Sequence, residues 1–231
     1  MWLNEEQKLD AAIRTYRKTL LQSTPQHIVI DNLFDSNKLD EVVSILQQES
    51  GWQTQKHTYS ALYVDNAKWQ KTQKKQRFVQ RDLWQRPALS AVGAPDNVAE
   101  QFLAFLRSDE FMSWLSRIFK VALTDINVAN PAINSNCFRL GATDFVNQHA
   151  DDSPGREVCM LLYLNKGWQH NNGGELVFLG ADANPVSIAP LYNRCVLFNP
   201  ASPGSEHWVK ALTTENTQQY RYNVTSWYWS E

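Results

Sequence analysis

Near residue 124 the hydrophobic pattern of the chain changes period, and that change limits the folds open to it. Before it, apolar residues recur at helical spacing. After it come nine short runs of strand character, at 124–129, 134–140, 145–149, 157–165, 174–179, 186–188, 194–199, 207–212 and 219–229. Turn-forming sequences separate them, among them Asn130-Pro131, Gly141, Ser153-Pro154-Gly155, Gly173-Gly174, Asn199-Pro200 and Ser202-Pro203-Gly204. Many short strands with regular turns point to a closed or double-sheet β architecture of jelly-roll or cupin-like type, which leaves few edges unpaired. The expected class is therefore α+β, with N-terminal helices buttressing a β core. No repeat or low-complexity linker is evident, so residues 1–231 read as one domain, 1–123 mainly helical support and 124–231 the β core.

Within the first half, Leu9, Ile13, Tyr16 and Leu20 fall on one stripe and predict an amphipathic helix over residues 4–22. A short β-branched run, Ile28-Val29-Ile30, follows. Asp35 or Ser36 is then expected to cap a helix burying Leu39, Val42, Val43 and Leu46. Asp96 is expected to start a helix through Leu106, and Ser108 to cap another through Phe119. Residues 50–93 say least. Strand-like pieces lie between Trp52 and Val64, and residues 68–86 then carry Lys68, Lys71, Lys74, Lys75, Arg77, Arg81 and Arg86 against the single acid Asp82. That stretch reads either as a solvated face or flexible loop, or as a mobile basic lid over a substrate.

Composition excludes several classes of partner. A net charge of −2 and a pI of 6.2 give no electrostatic case for DNA. The longest apolar run, 158–164, is too short to span a bilayer, and the N-terminus lacks the pattern of a secretion signal. Cys137, Cys159 and Cys195 are isolated, odd in number and set in apolar runs, which suits buried free thiols in a reducing compartment. A cytoplasmic protein with no membrane partner is expected.

The chemistry centres on Gln148-His149-Ala150-Asp151 and on His207. In an extended segment His149 and Asp151 project from one face, about 6–7 Å apart along the chain. Two histidines and one carboxylate that leave coordination positions open form the facial triad of non-haem Fe(II) enzymes. A lone His-x-Asp is a weak signal, equally read as a surface hydrogen-bonding pair. In the last strand run, Arg221, Asn223, Thr225 and Trp227 share a face. An arginine projecting inward there needs an anion, either a ligand carboxylate gripped by the guanidinium fork or an internal acid such as Glu175, unless it points to solvent instead. Tyr163 shares a face with Cys159 and Leu161 and reads as a donor into the same cavity or as a core tyrosine. Trp168, His170, Asn171 and Asn172 read as a rim of the cleft or as a plain hairpin loop.

Taken jointly, the pieces resemble a known family. They are His149-Ala150-Asp151, Tyr163-Leu164-Asn165-Lys166-Gly167-Trp168, Gly173-Gly174-Glu175-Leu176, Asn193-Arg194-Cys195-Val196-Leu197-Phe198, His207-Trp208-Val209 and Arg221-Tyr222-Asn223-Val224-Thr225-Ser226-Trp227-Tyr228. In order and spacing this set resembles the 2-oxoglutarate/Fe(II) oxygenases of the prolyl 4-hydroxylase branch, especially the hypoxia-factor prolyl hydroxylase-like group. The resemblance implies a double-stranded β-helix and a catalytic core over 124–231. It implies His149, Asp151 and His207 as iron ligands, with Arg221, Tyr163 and Thr225 holding the 5-carboxylate of 2-oxoglutarate and Trp227 and Asn223 lining the pocket. It implies O2 as a further co-substrate, with succinate and CO2 as co-products. Asp151, in place of a small residue, favours hydroxylation over halogenation. Many relatives carry a tyrosine about ten residues before the first ligand. Here the region reads Asn136-Cys137-Phe138-Arg139-Leu140, so Arg139 is expected to face the co-substrate or an acidic substrate. The implied substrate is a peptide or protein side chain, proline first. The rival readings are a small-molecule or amino-acid hydroxylase, a cupin-like metal-binding module without activity, and a zinc hydrolase, for which no general base is evident.

Overall fold

A computed structural model of the chain describes residues 1–86, 97–126, 128, 130–182, 184–213 and 219–230. It opens with two helices, α1 (Glu5–Lys8) and α2 (Asp10–Gln22), where the periodicity predicts one. The break falls at Leu9, which takes a ψ of 141° and stands 59% exposed, so the buried stripe of α2 shortens to Ile13 and Leu20. Leucine carries no helix-breaking signal, and nothing in the local sequence announces the break. Strand β1 (His27–Asp31) leads to α3 (Ser36–Leu46), where the Asp35 carboxylate accepts the Lys38 N–H at 3.0 Å. Leu39, Val42, Val43 and Leu46 form its buried face, as their spacing predicts. Next come β2 (Trp52–Thr58), α4 (Asn66–Lys71), β3 (Arg77–Trp84), α5 (Val98–Phe105) and α6 (Asp109–Phe119). Asn97 caps α5 by accepting the Glu100 N–H, and Ser108 caps α6; Asp96, the expected start of α5, lies outside the described residues.

The remaining strands are β4 (Leu123–Thr124), β5 (Ser135–Leu140), β6 (Phe145–Val146), β7 (Arg156–Tyr163), β8 (Leu176–Phe178), β9 (Val186–Ile188), β10 (Arg194–Phe198), β11 (His207–Val209) and β12 (Arg221–Ser230). A large antiparallel sheet runs β1-β10-β7-β12-β5-β3-β2, with β4 on β12 and β6 on β3; a small one runs β11-β8-β9. From β5 onward the chain crosses repeatedly between the two. β5, β7, β10 and β12 lie in the large sheet, β8, β9 and β11 in the small one, and the segment at His149 joins the small sheet through an antiparallel bridge to His207. This is the expected double-stranded β-helix. Its two inner faces meet where Cys159, Tyr163, Val196 and Phe198 pack on Leu176, Phe178 and Ile188.

Helices cover the outer face of the large sheet. Phe34, Phe102, Phe111 and Trp114 form one core with Val158, Leu162 and Tyr228. The buried Asn193 side chain clamps the layers together, donating to the Phe34 carbonyl at 2.6 Å and accepting its N–H at 3.1 Å. Two expectations change here. Residues 1–123 are not only helical support, because β1 extends the large sheet beyond β10 and β3 extends it beyond β5. The basic stretch 68–86 is neither free loop nor lid over its second half: β3 sits inside the large sheet, between β5 and β2. Its apolar residues Phe78, Val79, Leu83 and Trp84 supply the strand character that the charges obscure. No described helix is long and apolar enough to cross a membrane.

Candidate active site

His149, Asp151 and His207 come together at the mouth of the β-helix, with one ligand atom from each within 4.8 Å of the others. The backbone sets this spacing. His149 and His207 exchange both N–H···O bonds, at 3.0 and 2.9 Å, which brings their rings to 4.2 Å between centroids. Nδ1 of His149 lies 3.0 Å from the Asn147 carbonyl, and Nδ1 of His207 lies 2.9 Å from the Ser205 carbonyl. A carbonyl accepts only, so each Nδ1 carries the proton and each Nε2 presents a lone pair. Those Nε2 atoms stand 3.8 and 3.9 Å from the two oxygens of Asp151. Burial, then the neighbouring His207, lowers the His149 imidazole from 6.5 to about 4 and keeps it neutral. Burial acts to raise the Asp151 carboxyl, but the two imidazoles, the Trp227 indole N–H at 2.9 Å and Arg156 together hold it below its ordinary value. Two Nε2 lone pairs beside an ionised carboxylate form the donor set that a divalent cation needs.

Deeper in the barrel, β12 turns Arg221, Asn223, Thr225 and Trp227 to one cavity that the triad also lines. The Arg221 side chain is buried. Its Nε donates to the Gly174 carbonyl at 2.6 Å and Nη1 to Asn223 Oδ1 at 2.9 Å, and Asn223 in turn donates to Thr225 Oγ1 at 2.9 Å. Among the described residues Nη2 has no partner, and neither has the buried hydroxyl of Tyr163, whose ring lies 4.9 Å from the guanidinium. Burial pushes the Tyr163 phenol up to about 12, so it remains a donor. Two unpartnered buried donors call for an acceptor that neither sheet supplies. Arg221 does not turn to solvent, and its hydrogen bonds do not go to Glu175, which lies near His170 and Lys210. Gly174 makes room for the arginine, and Gly173 for the backbone at Ala211. A Cβ on Gly174, at φ +74°, would lie 3.0 Å from Arg221 Cδ and 2.8 Å from Leu212 Cδ2, and one on Gly173 would lie 2.2 Å from the Ala211 carbonyl oxygen.

The family model described as the 2OG-Fe(II) oxygenase superfamily matches residues 135–229, the span that holds every one of these groups. Residues 135–229 are thus similar to the 2OG-Fe(II) oxygenases. Prolyl 3-hydroxylase OGFOD1 of Mus musculus is 28% identical over 142 residues, covering 58% of this chain and 24% of its own length, so the chain spans about a quarter of that relative. Among solved structures, a prolyl hydroxylase of Trichoplax adhaerens, in complex with a hypoxia inducible factor oxygen degradation domain peptide fragment, aligns with a TM-score of 0.67 at 19% identity. It covers 98% of this chain and 92% of its own. A Pseudomonas putida prolyl-4-hydroxylase aligns with a TM-score of 0.62 at 16% identity, over 95% of this chain and 99% of its own. At such identities these structures establish the fold.

Three sequence readings change around this site. Arg139 does not face the cavity. In β5 it falls on the opposite side of the sheet from Leu140, pairs with Asp82 at 3.0 Å, and lies over the rings of Tyr220 and Trp52 at 4.0 and 4.6 Å. The i, i+1 alternation of a strand forces that result once Phe138 and Leu140 point inward. Trp168 is buried and donates to the Gly173 carbonyl at 3.0 Å, which makes it a support for the glycine turn, while His170–Asn172 form a short 3₁₀ turn outside the cavity lining. The cation that does line the cavity beside the triad is Arg81, on β3. Burial lowers its guanidinium to about 10, against the pull of Asp151 and Tyr63. Sequence reasoning passed over it as one of seven basic residues. The signal was the strand-like run Phe78-Val79-Gln80-Arg81-Asp82-Leu83-Trp84, in which a single arginine could turn inward.

Proposed function

We propose that the chain hydroxylates an unactivated C–H bond on a peptide or protein side chain, proline first, with Fe(II), 2-oxoglutarate and O2. In this reading His149, Asp151 and His207 hold the iron, and Arg221, Tyr163 and Thr225 bind the far carboxylate of the co-substrate. Asn223 and Trp227 line the pocket, and residues 1–231 act as one oxygenase domain. The observation that carries it is the pair of unpartnered donors, Arg221 Nη2 and Tyr163 OH, buried in the barrel that opens at the triad. A dicarboxylate fits that arrangement, because a planar fork with an adjacent hydroxyl matches two carboxylate oxygens. A metal-binding module without co-substrate has no use for such donors.

When bound, Fe(II), 2-oxoglutarate and O2 supply the oxidation of C–H to alcohol, with succinate and CO2 as co-products. The protein's own part is to bind, orient and exclude water. The Nδ1–H bonds of the two histidines fix their rings, and the Trp227 indole N–H holds one oxygen of Asp151. Phe178 and Phe198 pack edge-on against His207 and keep water from that side. The prolyl hydroxylases among the comparisons support a peptidyl substrate, and three buried free thiols support a reducing, cytoplasmic setting. The test is anaerobic: titrate 2-oxoglutarate into the Fe(II)-loaded protein and follow the metal-to-ligand charge-transfer band of the chelate. A saturable band that is absent in His149→Ala is expected. A folded, iron-bound protein with no band would overturn the proposal.

A further inference from the structure

Outside the triad the cavity widens into a vestibule whose walls include His57, Tyr63, Arg81, Ile133, Arg156 and Trp229. Three nitrogens in this wall are sealed from solvent without a hydrogen-bond partner among the described residues: Nε2 of His57, Nε of Arg81 and Nε of Arg156. His57 is only 5% exposed, and burial together with the charge of Arg81 keeps its ring neutral, so an N–H of that ring serves as a donor without adding charge. The Arg81 guanidinium makes no hydrogen bond and no ion pair with any described residue. It lies flat over Phe138 at 3.4 Å, a contact that positions the fork but supplies no acceptor. Arg156 is half engaged, donating to the Asp151 carbonyl at 2.8 Å and lying over Trp229 at 5.0 Å.

Other partly buried arginines of this chain have acceptors: Arg107 has Asp125, Arg139 has Asp82 and Arg194 has Asp31, while Arg17 and Arg77 donate to backbone carbonyls. Arg81 is an exception to that habit. The charge that acts on it most strongly is Asp151, which the proposed function commits to iron. A desolvated cation is retained against its own solvation when something that binds the protein completes it. Arg81 lines both the triad cavity and the vestibule, so what completes it lies beside the reacting carbon. The vestibule mouth carries Leu62, Tyr63 and Ile133 at 64%, 69% and 63% exposure, an apolar rim wider than a small acid would use.

We infer that Arg81, with His57 beside it, binds a substrate carboxylate, and that the substrate is a protein segment with an acidic residue adjacent to the residue that is hydroxylated. This rests on the hydroxylase reading above. The apolar rim would hold the chain on either side, and the guanidinium would read the acid.

The test uses the full chain loaded with Mn(II) and 2-oxoglutarate under argon, which binds without turning over. The probes are fluorescein-labelled alanine-frame heptapeptides with a central proline, and with Asp, Asn or Lys at the position before or after it, read by anisotropy. In the wild type one Asp peptide should bind about tenfold tighter than its Asn twin, as expected for a charge-assisted hydrogen bond, and Lys should be worst. Arg81→Gln should bring the Asp-to-Asn ratio close to one, and Arg81→Lys should restore part of it. Equal binding of Asp and Asn peptides to the wild type, which needs no variant to fold, overturns the inference. So does a ratio that survives in Arg81→Gln. N-acetylaspartate displacing the Asp peptide at equal concentration would overturn the protein-segment half of it. The charge-transfer band, measured on the same preparations with Fe(II), separates the two readings. Its absence in the wild type defeats the hydroxylase, whereas its loss only in Arg81→Gln moves Arg81 to the iron side and defeats this inference.

Discussion

Replacing Arg221 by methionine should separate co-substrate binding from folding. The substitution keeps most of the apolar volume and removes the fork. Two hydrogen bonds disappear with it, to the Gly174 carbonyl and to Asn223 Oδ1, and each acceptor left unpaired costs about 1–3 kcal/mol. Against this, a fully buried guanidinium with an unpartnered Nη2 also disappears, and replacing buried charge with apolar volume is neutral or stabilising by about 1–4 kcal/mol. The two effects nearly offset, so the ligand-free variant should melt within roughly 5 °C of the wild type. Binding has no such offset. Loss of a buried charge-assisted contact weakens association by about 2–5 kcal/mol, and at about 3 kcal/mol affinity falls roughly 150-fold. At a 2-oxoglutarate concentration about 100 times the wild-type Kd, the wild type gains about 2.7 kcal/mol, or roughly 5–10 °C in Tm. The variant then gains only about 0.3 kcal/mol, roughly 1 °C. Anaerobic melts of the Fe(II)-loaded proteins with and without 2-oxoglutarate measure both quantities at once. A variant that keeps its melting temperature and also keeps the full ligand-induced shift would remove Arg221 from the co-substrate site.

Other outcomes follow from the same coordinates. Tyr163→Phe deletes a buried hydroxyl that has no protein partner, so ligand-free stability should hold or rise while 2-oxoglutarate affinity falls roughly tenfold, read from the charge-transfer titration. Trp227→Phe removes the indole N–H that holds Asp151 and should weaken Fe(II) binding about 10–100-fold in a chelator competition, with the fold intact by circular dichroism. His57 and His149 both drop from 6.5 to about 4 on folding, so between those values the unfolded chain binds protons that the folded one refuses. Stability of the metal-free protein should therefore fall as pH is lowered through that window, by at most about 1.4 kcal/mol per pH unit for each of the two groups. His57→Phe should flatten the slope of Tm against pH; an unchanged slope would show that His57 does not enter it.

How far the sequence reveals this molecule depends on whether a residue's role is local. The triad is legible because iron chemistry needs two imidazoles and a carboxylate, and the His149-x-Asp151 spacing brings two of them to one end of a strand-like segment. The face of β12 is legible because alternation alone assigns Arg221, Asn223, Thr225 and Trp227 to one side. The break at Leu9 is not legible, since a good helix former there adopts an extended ψ for tertiary reasons. Arg139 and Arg81 were misjudged for a related cause. Arg81 lies between the polar Gln80 and Asp82, Arg139 between the apolar Phe138 and Leu140, and which of the two arginines reaches the cavity depends on the register of β3 against β5, where Asp82 meets Arg139 and Leu83 meets Phe138. Register is a property of a pair of strands and cannot be read from either alone.

β12 also has a bearing on how such a pocket can evolve. It is paired on both sides, with β5 and with β7, and its register slips only after Tyr228, beyond the last cavity residue. Between Arg221 and Trp227 the floor of the pocket is therefore ruled in steps of two residues. A single insertion or deletion there would swap the two faces beyond it, turning the cavity residues that follow to the helical core and core residues such as Val224 and Tyr228 toward the iron. Lengthening or shortening the cavity by chain length is closed to this fold at that strand. New substrates have to be accommodated by side-chain exchange on β12, or by the less constrained residues of β2, β3 and the segment between them.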